Sequence, residues 1–438
     1  MLKVSVIALG CNKNEIDCES LIGCLLPYVC ITSDLKQADV IIISPCAFLK
    51  SARNEALKYI KSLVEYKKKY SCRCIVVTGC YTSLLKEGIL DKIKEVDIAV
   101  SIGSMESMYS IIDDFLNSKN NNRFFYEDFD VRKNYARPVT GFFSTYLKIS
   151  DGCNNKCSYC LIPKIRGRYI SRPKKDILQE AKVLAQNGVR ELNILGQDIG
   201  LYGTDTRSSL YSLLKDLTKI EELKWIRLLY MHPRHIDENI VSLIANEEKI
   251  CKYIDIPIQH INDRILKLMN RKITKNEIYK KLDFLIKKIP NITLRTTFII
   301  GFPSETRKEF QEILSFIKDY QFHRLGAFAF SREKGTKAFD IRGQVPYKIK
   351  IQRKNELLNQ QKKISKKLNE TCLNRSIEVL VEETLNKRNT EFRGRSENMS
   401  PSVDGNVFFQ TNEKCRPGDF VNIDIKSVSA YDMYGIYN

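Results

Sequence analysis

The chain has 438 residues, of which 43% are hydrophobic, and its formal net charge is +19. This length can form two or three domains with cores of their own. No apolar run approaches the roughly 18 residues of a membrane span, and the first residues lack the pattern of a signal peptide, so we expect a cytoplasmic protein without a membrane partner. The positive charge favours nucleic acid, or a particle rich in it, as a partner, although a lysine-rich composition explains it equally well.

Short β-branched runs alternate with helical stretches over residues 1–116. Such nearly continuous apolar runs predict a doubly wound parallel sheet with helices on both faces. Three of the runs are followed at once by a cysteine, namely Cys11, Cys46 and Cys80. Because parallel strands end at the same edge of a sheet, where open α/β folds bind ligands, these cysteines should lie together. The runs occupy residues 4–10, 39–45, 74–79 and 97–103.

The remainder of the chain predicts a linker, a barrel and a small β domain. Residues 117–140 are polar and read as a linker. Residues 141–370 contain six strand-like runs, which predict a partial (βα)6 barrel of the TIM type, with a long basic helix over 347–369 leading out of it. Residues 373–438 predict a small closed β-barrel. The runs occupy 145–150, 191–195, 225–231, 253–259, 293–301 and 324–331, and then 375–383, 405–411, 418–425 and 433–438.

The strongest chemical signal is the spacing C-x-x-x-C-x-x-C formed by Cys153, Cys157 and Cys160, directly after the first barrel strand. Three thiolates can hold three irons of a [4Fe-4S] cluster and leave the fourth iron open to S-adenosylmethionine (SAM). The alternative is a structural zinc site, which normally needs four ligands and paired C-x-x-C knuckles. No fourth cysteine or histidine stands nearby, so the sequence favours the catalytic cluster.

Cys11, Cys46 and Cys80 form a second set of three, because each has the same position relative to its predicted strand. They could hold a second cluster with one open iron. They could equally be three unrelated core cysteines, since buried thiols are common. The spacing alone leaves both interpretations open.

Four polar residues fall at or near the predicted carboxyl ends of barrel strands, where they could contact the amino acid or ribose of SAM. They could also be ordinary loop or capping residues. The four are Gln197, Gln259, Arg295 and Glu305.

Several motifs resemble the methylthiotransferase family of radical SAM enzymes. Residues 151–173, DGCNNKCSYCLIPKIRGRYISRP, resemble its radical motif, and LGCNKNEIDCES from Leu9 resembles the start of its N-terminal domain. SPCAFLKSARNEA and VTGC lie where that family keeps two further cysteines, and the C-terminal unit resembles a TRAM domain. The resemblance implies two [4Fe-4S] clusters, one on each set of three cysteines, and two SAM molecules for each turnover.

Within the family, five motifs are similar to the branch that modifies a ribosomal protein. They are SRP at Ser171, GQDIGLYGTD at Gly196, DIPIQHINDR at Asp255, SREKGT at Ser331 and YDMYG at Tyr431. This resemblance implies insertion of sulfur at the β-carbon of an aspartate in the small-subunit ribosomal protein S-twelve, followed by methylation of that sulfur. It also implies a reductant such as flavodoxin or ferredoxin and a sulfur donor as partners.

Two other functions remain open at the level of sequence. The motif MHPRH at Met231 is similar to the transfer-RNA branch, and an adenosine methylthiotransferase would use the same clusters. A non-catalytic iron–sulfur or RNA-binding scaffold would produce no 5′-deoxyadenosine. Residues 375–438 carry eight Lys and Arg against ten Asp and Glu. A slightly acidic module suits a basic protein better than RNA, whose phosphates need positive charge.

Overall fold

The computed structural model describes residues 1–133, 137–138 and 143–437. The chain divides into two compact units. The first contains residues 1–140, 150–173 and 333–336, and the second contains 141–149, 174–332 and 337–438. The predicted boundary between linker and barrel, at residues 140 and 141, lies outside the described residues. None of the described helices is both long and apolar enough to cross a bilayer.

The first unit contains a parallel sheet whose strand order is β2-β1-β3-β4-β5-β6. Its strands are β1 (Lys3–Leu9), β2 (Cys30–Ile31), β3 (Val40–Pro45), β4 (Cys74–Val77), β5 (Ile98–Val100) and β6 (Phe124–Phe125). The helices are α1 (Asn12–Leu25), α2 (Lys50–Lys69), α3 (Gly79–Leu85), α4 (Gly88–Lys92) and α5 (Met108–Leu116), with a 3-10 helix over Ile102–Ser107.

Both faces of this sheet are buried, as a doubly wound fold requires. Ile41 and Ile43 belong to one hydrophobic cluster, whereas Val40 and Ile42 belong to another. Successive side chains of a strand point to opposite faces, so the alternation places one cluster on each side of the sheet. The predicted doubly wound sheet is therefore confirmed. Two short strands were not predicted, and one of them, Phe124–Phe125, lies in the segment expected to be a linker.

The second unit contains a parallel sheet of six strands in the order β14-β13-β12-β11-β10-β7, which confirms the predicted partial barrel. Its first strand is β7 (Ser144–Lys148). The next two strands of the chain, β8 (Ser150–Asp151) and β9 (Ile170–Ser171), belong to the first unit, as does α6 (Ile162–Ile165). The barrel then continues with β10 (Glu191–Leu195), β11 (Trp225–Leu228), β12 (Ile250–Gln259), β13 (Thr293–Ile300) and β14 (Arg324–Ala329).

Helices separate the barrel strands, and two of these helices begin with a capping box. Thr274 and Thr306 each form a capping box with the glutamate three residues later, which satisfies amide groups at the start of α11 and α12. The helices are α7 (Lys174–Gln186), α8 (Leu210–Leu217), α9 (Glu238–Asn246), α10 (Asp263–Leu268), α11 (Lys275–Lys288), α12 (Arg307–Tyr320) and α13 (Tyr347–Glu370). Short 3-10 helices cover Ile199–Leu201, Pro233–His235 and Lys337–Phe339.

A closed β-barrel ends the chain, with the strand order β15-β16-β17-β19-β18. Its strands are β15 (Ser376–Thr384), β16 (Glu391–Ser396), β17 (Val407–Gln410), β18 (Phe420–Val428) and β19 (Met433–Ile436). The predicted small closed barrel is confirmed, but β16 was missed. That strand carries Arg393, Gly394 and Arg395, which do not form an apolar pattern.

A buried ionic network joins the two barrels within the second unit. Glu191 accepts hydrogen bonds from Arg227 and Arg395, and the side chains of Glu191 and Arg227 are 0% exposed while that of Arg395 is 2% exposed. Arg395 also donates to the carbonyl of Met399. Because buried charges are tolerated only when they are paired and hydrogen-bonded, this network fixes the small barrel to the larger one.

Candidate metal centre

Cys11, Cys46 and Cys80 follow three adjacent strands at the carboxyl edge of the first sheet. Cys11 comes two residues after β1, Cys46 directly follows β3, and Cys80 lies in the first turn of α3, beyond β4. Gly10 has a φ of 148°, and a Cβ at this position would lie 3.1 Å from the Cβ of Cys46. The glycine therefore lets the loop that carries Cys11 approach Cys46, as predicted for the sheet edge.

Hydrogen bonds and one close packing contact hold the three cysteine-bearing loops together. The Asn14 side-chain amide donates to the Ser44 carbonyl at 2.6 Å and to the Leu9 carbonyl at 3.3 Å. The Ser44 hydroxyl donates to Asn14 Oδ1 at 2.6 Å. Gly79, with a φ of 73°, packs so closely that a Cβ there would lie 2.1 Å from Ser44 Oγ. Asn14 and Ser44 thus hold the ends of β1, β3 and β4 in a fixed arrangement.

The electrostatics of these cysteines are coupled. Burial raises the pKa of the Cys46 thiol, and the backbone amides of Phe48 and Leu49 oppose that rise. Burial also raises the pKa of Cys80, to about 11, against the opposing charge of Arg166. Both thiols also lie close enough to Cys11 that a thiolate at that position raises their pKa further. Metal ligation needs the thiolate, so the amides and Arg166 favour the form that binds iron.

All members of the donor set are cysteine sulfurs, and such a set suits an iron–sulfur cluster, zinc or copper(I). In residues 1–133, 137–138 and 143–437, no group of three or more His, Cys, Asp or Glu side chains is arranged to hold a metal ion. The assignment of ligands therefore stays a prediction, and it rests on the shared sheet edge and the coupled charges.

The second cysteine set lies in a loop closed by the hairpin of β8 and β9, whose strands pair antiparallel. The Cys153 amide donates to the Gly167 carbonyl at 3.3 Å, and the Tyr169 amide donates to Asn154 Oδ1 at 3.2 Å. The amide of Ile162 donates to Cys160 Sγ at 3.4 Å. Amide donors of this kind stabilise ligating thiolates and tune their clusters.

Replacing Gly152 by alanine is expected to reduce iron loading of this loop. Gly152 has a φ of 71°, and its Cβ would lie 2.0 Å from the Arg168 carbonyl oxygen, so the hairpin must open to accept it. The left-handed backbone alone costs about 1–2 kcal/mol. Gly167→Ala is the matched control, because Gly167 has a φ of 72° but no heavy atom within 4 Å of its added Cβ. Iron content after anaerobic reconstitution should fall further in the first variant; equal losses would contradict a role for the close approach.

Arg166 lies in the segment that carries the second cysteine set and contacts Cys80 of the first set, and sequence reasoning missed it. Its Nη1 lies 2.5 Å from Asp17 Oδ2 and 3.0 Å from Asp151 Oδ2, while its Nη2 donates to Cys80 Sγ at 3.1 Å. Asp17 belongs to α1, and Asp151 and Arg166 flank the loop of Cys153. The only signal in the sequence was the pair of charges that bracket the C-x-x-x-C-x-x-C motif.

Glu333 is a second residue that sequence reasoning missed. It accepts hydrogen bonds from the Lys50 amide at 2.8 Å and from Arg53 Nη2 at 2.5 Å, at the start of α2. Arg53 also donates to the Ala47 carbonyl, next to Cys46. A carboxylate at a helix N-terminus satisfies free amides and complements the helix dipole. Glu333 thus stabilises the segment that follows Cys46.

The four polar residues predicted to contact SAM have different surroundings in the second unit. Arg295 pairs with Asp255 and Asp404. Glu305 accepts from the Gly301 amide and from Arg353, so it already acts as a turn and capping residue. Gln197 is half-buried just after β10, and Gln259 ends β12 with a φ of 76°. Among the described residues, Gln259 Oε1 is buried without a hydrogen-bond partner. These contacts with SAM stay predictions.

Three family descriptions match successive parts of the chain. The Radical SAM superfamily matches residues 147–317, which include Cys153, Cys157 and Cys160. The Uncharacterized protein family UPF0004 matches residues 3–101, which include Cys11, Cys46 and Cys80. The TRAM domain matches residues 375–437, the closed barrel. Each described site residue named above for a cluster thus falls within a matched region.

Among solved structures, the radical SAM methyltransferase TsrM of Kitasatospora setae, with cobalamin and a [4Fe-4S] cluster bound, has a TM-score of 0.57 at 14% identity, over 75% of this chain and 74% of that one. This likeness concerns the fold. The chain is 40% identical over 99% of its length to the ribosomal protein uS12 methylthiotransferase RimO of Clostridium botulinum (strain Eklund 17B / Type B), of which it covers 98%. It is 38% identical over 100% of its length to the RimO of Clostridium acetobutylicum, again covering 98%. The chain therefore belongs to the RimO family of radical SAM methylthiotransferases.

Proposed function

We propose that this protein transfers a methylthio group to the β-carbon of an aspartate in ribosomal protein uS12. The relatives described above are named ribosomal protein uS12 methylthiotransferase, and they match the chain over nearly its whole length. The observation that carries the proposal is the contact between Arg166 and Cys80. It brings the loop of the radical motif next to the sheet edge that bears the other three cysteines.

The two cysteine sets would hold different clusters. A radical SAM protein uses a [4Fe-4S] cluster and SAM, and Cys153, Cys157 and Cys160 are the residues that would bind this cluster. Cys11, Cys46 and Cys80 would bind a second one. When bound, the first cluster supplies the electron that cleaves SAM to methionine and a 5′-deoxyadenosyl radical, and the second presents the sulfur to be transferred.

The chain's own residues would position these groups. Asn14 and Ser44 hold the three strand ends that carry Cys11, Cys46 and Cys80. The buried side-chain oxygen of Gln259, Oε1, would accept a hydrogen bond from the SAM amino group. Such preorganisation places reacting atoms without the cost of reordering them during the reaction.

The substrate class follows from the family and from charge. The closed barrel is slightly acidic within a chain of net charge +19, which suits a basic ribosomal protein better than transfer RNA. The small ribosomal subunit, a reductant such as flavodoxin or ferredoxin, and a sulfur donor are the partners that this reaction requires. A transfer-RNA methylthiotransferase, the alternative, has no comparable support.

Anaerobic incubation of the reconstituted protein with reductant and SAM tests the proposal. Parallel reactions contain either a peptide from the uS12 loop or bulk transfer RNA, and mass spectrometry follows both. We expect the mass of one methylthio group on the peptide aspartate and none on the RNA. Modification of the RNA alone would move the protein to the sister branch, and the absence of 5′-deoxyadenosine from both reactions would exclude the radical mechanism.

A further inference from the structure

The reaction described above gives the Arg166 side chain no task beyond bringing the two cysteine-bearing segments together. It is buried, and its guanidinium contacts three negative or potentially negative groups from three parts of the first unit. Asp17 comes from α1, Asp151 precedes the loop of Cys153, and Cys80 lies in α3. One side chain therefore connects the N-terminal cysteine set to the radical motif.

The positive charge of Arg166 balances the negative groups that surround it. Asp17 and Asp151 are both buried, and a ligating Cys80 adds a third negative charge beside them. Arg166 Nη1 lies 2.5 Å from Asp17 and 3.0 Å from Asp151, and its Nη2 donates to Cys80 at 3.1 Å, so a single guanidinium faces all three groups. Without Arg166, two carboxylates and a thiolate would face one another in a site sheltered from water, which is strongly unfavourable.

We propose that Arg166 is a positioning residue that holds Cys80 as a cluster ligand and raises the reduction potential of the cluster on Cys11, Cys46 and Cys80. This inference rests on the proposed function, because it requires that second cluster. Hydrogen bonds and positive charge at a ligating sulfur favour the reduced, more negative state of an iron–sulfur cluster. Asp17 acts in the opposite direction, since it neutralises part of the guanidinium charge.

The chemistry of arginine suits this role better than that of lysine. A guanidinium presents several N–H donors in a rigid fork, so it can serve two carboxylates from one nitrogen and a sulfur from the other. A lysine ammonium is a single point charge and cannot hold all three groups in the same geometry. Arg166→Lys should therefore keep the positive charge but lose part of the positioning.

The test measures the second cluster alone, in the full chain with Cys153, Cys157 and Cys160 replaced by alanine. After anaerobic reconstitution, the iron content is determined by chemical analysis. The reduction potential is determined by a redox titration that is monitored by electron paramagnetic resonance. Arg166→Gln should shift the potential to more negative values, Arg166→Lys should shift it less, and Asp17→Asn should shift it to less negative values. Lys67→Gln is the control, because it removes one positive charge from the same unit at an ion pair with Asp97.

The opposite signs for Arg166 and Asp17 separate a charge effect from general damage to the fold. If Arg166→Gln does not fold, Arg166→Lys and Asp17→Asn still decide the question. Potentials equal to that of the parent protein, or a shift as large in Lys67→Gln, would overturn the role of Arg166 while leaving the second cluster in place. A parent protein that takes up no iron would overturn the second cluster, and the role of Arg166 would fall with it.

Discussion

Alanine at Cys153 is expected to abolish the formation of 5′-deoxyadenosine, whereas alanine at Cys46 should preserve it and abolish methylthio transfer. Cys153 belongs to the motif matched by the Radical SAM superfamily, and Cys46 belongs to the separate N-terminal region. Each set of three thiolates should hold its own cluster, so either substitution should lower the iron content by about four atoms per chain. Chromatography of the reaction and the mass of the substrate peptide measure the two activities independently.

Cys24→Ala serves as the control for these variants. Cys24 lies half-buried on α1 in the same unit, and burial raises the pKa of its thiol, as expected for an inert core cysteine. It should change neither activity nor iron content. Loss of SAM cleavage in Cys46→Ala would mean that the two sets do not act separately. Retention of cleavage in Cys153→Ala would remove the radical role from that loop.

The sequence was sufficient to predict those parts of the fold in which local pattern and burial agree. The alternation of Val40, Ile41, Ile42 and Ile43 between two hydrophobic clusters is what a strand covered on both faces must show. The carboxyl-edge positions of the three N-terminal cysteines follow from the same logic. Strands of only two residues, Cys30–Ile31 and Phe124–Phe125, carry too little pattern to be recognised.

The parts that could not be predicted depend on charged residues far apart in the chain. Arg166 and Cys80 are 86 positions apart, and Arg395 and Glu191 are 204 apart. A single sequence does not reveal such a pairing, because a charged residue is ordinarily assumed to face water. For that reason β16, with a buried arginine, was missed, and so were the ion pairs of Arg295 with Asp255 and Asp404.

Glu191→Gln is expected to destabilise the second unit by about 3–5 kcal/mol, because it leaves two buried arginines without their shared carboxylate. Urea unfolding can be followed by fluorescence of Trp225, the single tryptophan, whose ring lies edge-on to Phe420 of the small barrel with 4.8 Å between centroids. Glu378→Gln is the control. It breaks the Lys224–Glu378 ion pair between the same two barrels, but both side chains are exposed, so the loss should stay within about 1 kcal/mol.

The same substitution should also change the dependence of stability on pH. Burial raises the pKa of Glu191, but Arg395 and Arg227 outweigh it and lower the pKa from its usual 4.5 to about 2. A carboxyl whose pKa is lower in the folded state stabilises the fold above its unfolded pKa. This contribution should therefore decline as the pH falls below about 4.5 and vanish below about 2. Glu191→Gln removes the titrating group, so its free energy of unfolding should fall less steeply over that range than in the parent protein. Equal slopes would mean that Arg395 and Arg227 do not lower the pKa of Glu191 in the folded protein.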